Sequence, residues 1–295
     1  MQPAHGKKIL ILGASGFIGR ALSERLGNEQ CMCTYNSGKK LINGIHFDIL
    51  ADSIANIDIS AVSHAVVLFG VTNPDHCANN RELSDAVNIR GVKRVLDELG
   101  ERQIPFIFAS SEVVFDGLKG DYVEGDLPNP ILSYGIQKRM VEEYIAEKWL
   151  LATSIRIAKV YGTRPGDKSL LDGWFQQALL GGEIRCASDF ISSAVHVDDV
   201  VNSILAICSN RLYGTYHVGG PRGISRYDLF LALLDAIQKK HRIPSIRVVP
   251  CSIDDFVTAE KRPKDISLIS KKLFMDTGIV LRPFEDGCKE YVGRT

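Results

Sequence analysis

The chain has 295 residues, with 35 basic and 35 acidic side chains and 45% hydrophobic residues, enough for one large α/β domain with a smaller appended lobe. Balanced charge argues against a polyanion-binding surface, so nucleic acid is not an expected partner. No apolar run approaches the roughly 20 residues of a membrane span, so no membrane is expected either. Met1 to Lys8 is polar and runs straight into a strand, which leaves no room for a secretory signal. The seven cysteines are scattered, with no Cys-x-x-Cys or Cys/His cluster, and this suits a reduced cytoplasmic protein without a metal.

In chain order, Lys8 to Leu12 reads as a buried strand, followed by a Gly-rich turn and a helix from about Phe17 to Leu26. Cys31 to Tyr35 is a second strand, with the Cys31 and Cys33 side chains expected on opposite faces. Ala61 to Phe69 is a third strand, and a long helix follows from about Asn79 to Leu99. Ile104 to Ala109 is a further apolar run, Ser133 to Trp149 a helix, and Ser154 to Val160 another strand. Apolar runs alternating with helices predict an α/β fold, a Rossmann-like doubly wound parallel sheet. Residues 1–163 are assigned to this nucleotide-binding domain, with later crossings from about 190–218. Residues 164–295 mainly form a smaller α/β substrate lobe. There, short strands around Ile184, Val195 and Tyr216 interleave with helices at Asp198–Cys208 and Tyr227–Lys239. Asp198 reads as the N-cap of the first of these helices, and His196 as structural. Cys186 and Cys208 read as buried apolar residues, and Trp174 and Phe175 suit either a pocket wall or the core.

The spacing Gly13-x-x-Gly16-x-x-Gly19 follows the first strand and opens the first helix. Gly13 permits the tight turn, Gly16 lets the backbone approach a pyrophosphate, and Gly19 lets helix pack on strand. The helix N-terminus then offers N–H groups and a positive dipole end to the anion. Ser15, Phe17 and Ile18 complete the cradle. An acid that would bind an adenosine 2′-hydroxyl normally ends the second strand, but here the strand runs into Asn36-Ser37-Gly38-Lys39-Lys40. Asn36 and Ser37 suit a 2′-phosphate, with Lys39 or Lys40 supplying charge. NADP(H) is therefore expected in preference to NAD(H). Asp48 is assigned to the adenine amino group, with Ile49 beside the ring. Phe69, Gly70 and Ser110, at the carboxyl ends of later strands, are also assigned to the cofactor.

Tyr134-Gly135-Ile136-Gln137-Lys138 places a phenol and an ammonium at i and i+4 on one helical face. A fixed positive charge is expected to bring the phenol pKa toward neutrality and make Tyr134 a proton donor to a carbonyl oxygen. The run ending in Ser110-Ser111-Glu112 brings a hydroxyl to the same crevice.

With these pieces, and with Val160-Tyr161-Gly162 and Val195-His196-Val197-Asp198-Asp199-Val200, the sequence resembles the extended short-chain dehydrogenase/reductase family. Three further stretches make it most similar to the dTDP-4-dehydrorhamnose reductase branch: Asn73-Pro74-Asp75-His76-Cys77 leading to Val87-Asn88, Ser111-Glu112-Val113-Val114-Phe115-Asp116-Gly117, and Arg262-Pro263-Lys264-Asp265. The resemblance implies that Ser111 and Tyr134 are catalytic and that Lys138 binds the nicotinamide ribose and tunes Tyr134. It also places Glu112, Lys159 and Arg164 at the substrate, with Lys168 and Arg185 near its diphosphate. Two departures fall in the sugar pocket: Ser111-Glu112-Val113 stands where the branch has Thr-Asp-Tyr, and Lys159 where it has a substrate-contacting Trp. Related 4,6-dehydratases carry two adjacent acids after the Thr; here Glu112 is followed by Val113, which favours simple reduction.

The implied activity is NADPH-dependent reduction of a nucleotide-linked 4-keto-6-deoxy sugar, and a homodimer is compatible with it. Two alternatives stay open. One is an epimerase using the same residues; the other is a cofactor-binding regulatory subunit, since the methionine adenosyltransferase β subunit also looks like this branch.

Overall fold

A computed structural model describes residues 7–36, 41 and 43–295. Strand β1 (Lys8–Leu12) is followed by α1 (Phe17–Gln30), β2 (Cys31–Tyr35) and β3 (Ile45–His46). Next come β4 (Val62–Val67), α2 (Pro74–Asn79), α3 (Arg81–Asp85), a π-helical turn (Ala86–Gly91), α4 (Val92–Glu101), β5 (Phe106–Ser111) and α5 (Ser133–Lys148). After β6 (Ala152–Ile157) and β7 (Val160–Tyr161) the chain forms α6 (Leu170–Leu180), β8 (Gly182–Ala187), β9 (Ile191–Ser192), β10 (Val195–His196) and α7 (Val197–Asn210). The chain continues with β11 (Gly214–Val218), β12 (Ile224–Ser225), α8 (Arg226–Lys240), β13 (Ile246–Cys251), α9 (Lys271–Thr277) and α10 (Phe284–Arg294).

The main sheet has seven strands in the order β11-β6-β5-β4-β1-β2-β3, and its pairings are parallel. Parallel strands need crossover connections, and those through α1, α4, α5 and α7 cover both faces of the sheet. Between the sheet and α1 and α7 lie Ile9, Ile11, Leu22, Val66, Val200 and Ile204. Between it and α4 and α5 lie Leu10, Leu12, Val95, Leu96, Phe106, Phe108 and Val141. Successive residues of β1 thus feed opposite layers, which is why the strand reads as one continuous apolar run. Each such fully buried side chain contributes about 1.5–3 kcal/mol. A third core joins α6, α8 and α10 through Leu171, Trp174, Phe175, Phe230, Leu233 and Tyr291. Trp174 and Phe175 pack in that core.

The order of strands reverses between β1 and β4, and this opens a crevice beyond their carboxyl ends. Among the described residues, no helix is long and apolar enough to cross a membrane.

Several local expectations are corrected. The Cys31 and Cys33 thiols lie on the same face, 3.5 Å apart, because strand side chains alternate and residues i and i+2 share a side. The first helix continues to Gln30, across a break at Gly27, which takes a φ of 71°. The expected helix from Asn79 to Leu99 is not continuous. Its first part begins at Pro74, where the Asn73 side chain accepts from the His76 N–H, and it breaks at Asn80, which leaves helical geometry. The π-helical turn then follows. Asp198 is not an N-cap. That position belongs to His196, whose Nδ1 accepts from the Asp198 N–H at 3.1 Å, so Asp198 lies in the first turn.

Candidate active site

The crevice at the sheet's switch point encloses about 710 Å³, within the range of small-molecule sites. At its floor, β1 delivers the chain into the glycine turn. Gly13 adopts a φ of +95°, and a Cβ there would stand 2.9 Å from the Phe69 nitrogen. At Gly19 a Cβ would meet the Gly13 oxygen at 2.4 Å and the Ala14 Cα at 2.7 Å. Glycine is therefore required at both places, by backbone conformation at the first and by helix–turn contact at the second.

Thr34, at the end of β2, fixes the turn from below. Its hydroxyl accepts from the Gly13 N–H at 3.1 Å and its carbonyl from the Ala14 N–H at 2.9 Å. A buried polar residue at a strand's carboxyl end was a readable signal, and sequence reasoning passed over it. Gly16 is the N-cap of α1 and supplies no side-chain acceptor, so the first-turn N–H groups remain available to an anion. This cradle fits the pyrophosphate of a dinucleotide.

Gly13, Ser15, Gly16, Phe17, Ile18 and Gly19 line the floor, and Asn36, Asp48 and Ile49 line the side where an adenosine would lie. The Asp48 carboxylate already accepts from the Leu50 N–H at 2.9 Å and so also holds its own turn. Phe69 and Gly70 also line the crevice, and Phe69 stacks on Phe47. Ser37, Lys39 and Lys40 lie outside the described residues.

Farther along the crevice, Ser110, Ser111, Tyr134, Lys138 and Lys159 converge from the ends of β5 and β6 and from the first turns of α5. The Ser110 hydroxyl is buried with no partner among the described residues. The Ser111 hydroxyl accepts weakly from the Val113 N–H at 3.4 Å. Lys138 donates to the Ala109 carbonyl at 2.7 Å, with its ammonium 5.6 Å from the centroid of the Tyr134 ring.

The expectation of a depressed Tyr134 pKa is corrected. Burial pushes the phenol up and brings Lys138 down to about 8. The ammonium is engaged by the Ala109 carbonyl, not by the phenol, and the desolvation of the buried phenol sets the direction of its shift. Tyr134 consequently stays protonated at neutral pH.

Two expected substrate residues are not in the crevice wall. Glu112 is buried behind it, accepting from the Ser192 hydroxyl at 2.7 Å. Burial pushes its pKa up to about 8, against the opposing pull of Ser192 and of the Lys159 charge. Arg164 stands in a separate cleft with Lys168 and donates to Glu24 at 2.6 Å. Its loop leaves β7 on the α1 side of the molecule. Arg185 is exposed and pairs with Asp255.

A buried polar network that sequence reasoning did not single out supports α5 from beneath. Gln137 donates to Ser84 and Asp85 and accepts from Asn88. Asn88 in turn holds both polar groups of the Val71 backbone, at 2.8 and 2.9 Å. Its π-helical turn thereby ties α5 to the loop after β4 that lines the crevice.

Comparison with known proteins agrees with this architecture. The family described as "RmlD substrate binding domain" matches residues 7–295. The chain is 25% identical to methionine adenosyltransferase 2 subunit beta of Mus musculus, covering 96% of this chain and 86% of that protein. It is 27% identical to the spore coat polysaccharide biosynthesis protein SpsK of Bacillus subtilis, over 97% and 96% of the two chains. In fold it is similar to dTDP-4-dehydrorhamnose reductase of Bacillus anthracis, solved in complex with NADP, with a TM-score of 0.83, 23% identity and full coverage of both chains. On the strength of a match along nearly its whole length, the chain belongs to the RmlD substrate binding domain family, the dTDP-4-dehydrorhamnose reductase-like group of extended short-chain dehydrogenases/reductases.

Proposed function

We propose that the protein is an NADP(H)-dependent oxidoreductase that reduces the 4-keto group of a nucleotide-linked 4-keto-6-deoxy sugar. The observation that carries this reading is the convergence of Ser111, Tyr134 and Lys138 at one end of a crevice whose other end is the glycine turn. When bound, the dinucleotide supplies a hydride to the carbonyl carbon. Tyr134, held protonated by burial, gives its phenolic proton to the carbonyl oxygen, and Ser111 holds that oxygen by a hydrogen bond. Lys138 fixes the ribose and offsets negative charge developing on the phenol. Glu112 lies behind the wall and is followed by Val113, so no adjacent pair of acids serves an elimination.

The preference for NADP(H) over NAD(H) rests on the absence of a carboxylate directly after Tyr35. The NADP in the similar Bacillus anthracis reductase agrees with it. Lys159, at the sugar end of the crevice, sets this pocket apart from one closed by an aromatic residue.

The test is NADPH oxidation by purified protein with a panel of dTDP-, UDP- and GDP-linked 4-keto-6-deoxy sugars. Consumption of NADPH with formation of the 4-hydroxy product is expected. Retained NAD with no net consumption would replace this reading by an epimerase.

The 25% identity to methionine adenosyltransferase 2 subunit beta along nearly the whole chain favours one second reading, a cofactor-binding regulatory subunit. A stoichiometric enzyme partner in a pull-down, with no turnover of any sugar nucleotide, would establish it.

A further inference from the structure

Helix α5, which carries Tyr134 and Lys138, begins without a cap of its own. Its N-cap is Leu132, which has no side-chain acceptor. The first helical N–H, that of Ser133, is taken instead by the carboxylate of Glu260, 127 residues downstream, at 3.1 and 3.0 Å. The Ser133 hydroxyl donates to the same carboxylate at 2.6 Å and accepts from Arg81 at 3.0 Å.

The loop bearing Glu260, which follows β13, is anchored independently. Asp75, in the first turn of α2, accepts from the Ala259 N–H at 2.8 Å and from the Arg262 guanidinium at 2.7 Å. Within the loop, the Thr258 hydroxyl donates to the Glu260 carbonyl. A carboxylate from a distant loop thus occupies the place of an N-cap side chain, where it satisfies an orphan donor and complements the positive end of the helix.

We propose that Glu260 is a positioning residue for the reacting phenol: it clamps the first turn of α5 to the loop after β13, so that the placement of Tyr134 depends on how that loop is seated. This inference rests on the reading of Tyr134 as the proton donor. Glu260 itself touches no reacting atom; it acts through Ser133, the residue directly before Tyr134. The same loop joins β13, paired to β8 of the lobe, to the segment in which Asp265 accepts from Ser267. Movement of the lobe would therefore reach the phenol through a path of two side chains.

The experiment compares the full chain with Glu260→Ala and Glu260→Gln, the second keeping an acceptor oxygen without the charge. The Tyr134 Cζ resonance is followed in protein labelled with 4-¹³C tyrosine and assigned through Tyr134→Phe. Amide exchange along α5 is followed in parallel. In Glu260→Ala the first-turn amides of α5 should exchange about fivefold faster, the size of a lost cap, with the β-strands unchanged. The Tyr134 resonance should move, and Glu260→Gln should fall between that variant and the unsubstituted protein. With a sugar nucleotide that is turned over, kcat should fall while the KM for NADPH stays the same.

An unshifted Tyr134 resonance in Glu260→Ala would overturn the proposal, whether or not first-turn exchange changes. So would faster exchange spread evenly over the sheet, which would mark a role in general stability. If the unsubstituted protein reduces no sugar nucleotide, the functional reading falls, while the resonance and the exchange still decide whether Glu260 places Tyr134.

Discussion

At one end of the crevice, Gly13, Gly16 and Gly19 lie within a single turn, and at these glycines backbone rather than side chains lines the floor. At the other end, Ser111, Tyr134, Lys159 and the buried Glu112 arrive from β5, α5 and the end of β6, with Ser192 of β9 behind them. The first end tolerates little change, because its close approaches are between backbone atoms that cannot step aside. The second is assembled from side chains whose protonation is set by burial: Tyr134 held up, Lys138 brought down to about 8, Glu112 raised to about 8. The contrast suits a site that must hold one cofactor shape yet be retuned for different substrates. It also separates two kinds of damage, loss of architecture at the turn and loss of chemistry at the sugar end.

The sharpest break between the two ends is Tyr134→Phe. It removes only a hydroxyl at the chemical end, so turnover of a 4-keto sugar should fall about 10²-fold or more. The dissociation constant for NADPH, read by nucleotide fluorescence, should change by less than about twofold, because the turn at the other end is untouched. Equal loss of binding and turnover would mean that the two ends do not act separately.

Next in size is Gly19→Ala. Its Cβ would sit 2.4 Å from the Gly13 oxygen, an overpacking clash worth about 1–3 kcal/mol. Thermal unfolding should show a Tm lower by several degrees, together with weakened NADPH binding. Gly16→Ala is the comparison, since a Cβ there meets only the Gly13 oxygen at 3.3 Å. It should leave Tm near that of the unsubstituted protein and affect cofactor affinity alone. A larger fall in Tm for Gly16→Ala would reverse the assignment of roles within the turn.

A further effect, confined to a window of pH, is expected at Glu112. Its pKa is raised from 4.5 to about 8, so between these values the folded chain binds a proton that the unfolded chain has released. The stability gained from this group is fully present below about 4.5 and is lost as pH rises through about 8. Glu112→Gln keeps the neutral form at every pH and can still pair with Ser192. Its Tm relative to the unsubstituted protein should therefore climb between pH 5 and pH 8.5. A constant difference across that range would show that Glu112 is ionised in the fold.

Much of the fold was legible because its signals are local. Ile9-Leu10-Ile11-Leu12 reads as a strand buried on both sides, and Val92, Val95, Leu96 and Leu99 recur at helical spacing and face the core. The glycine spacing and the Tyr134/Lys138 pair are likewise contained within two turns of chain. The helix expected from Asn79 to Leu99 was misread in part because the π-helical turn answers to partners elsewhere. Asn88 reaches Val71 and Gln137, and no periodicity within residues 79–99 encodes those contacts. The family resemblance puts Arg164 at the substrate; in the fold its side chain pairs with Glu24 of α1, a contact that no local pattern encodes.

By itself the sequence determined the alternation of strands and helices and the need for glycine in the first turn. These depend on conformational freedom and hydrophobic period over a few residues. The tertiary structure decided which chemistry each group retains. The i and i+4 spacing of Tyr134 and Lys138 pointed to a phenol made acidic by its neighbour. In the folded chain the ammonium is spent on the Ala109 carbonyl and burial holds the phenol protonated. It also decided that the helix bearing both residues is capped by Glu260, because desolvation and capping depend on what the rest of the chain packs around a residue.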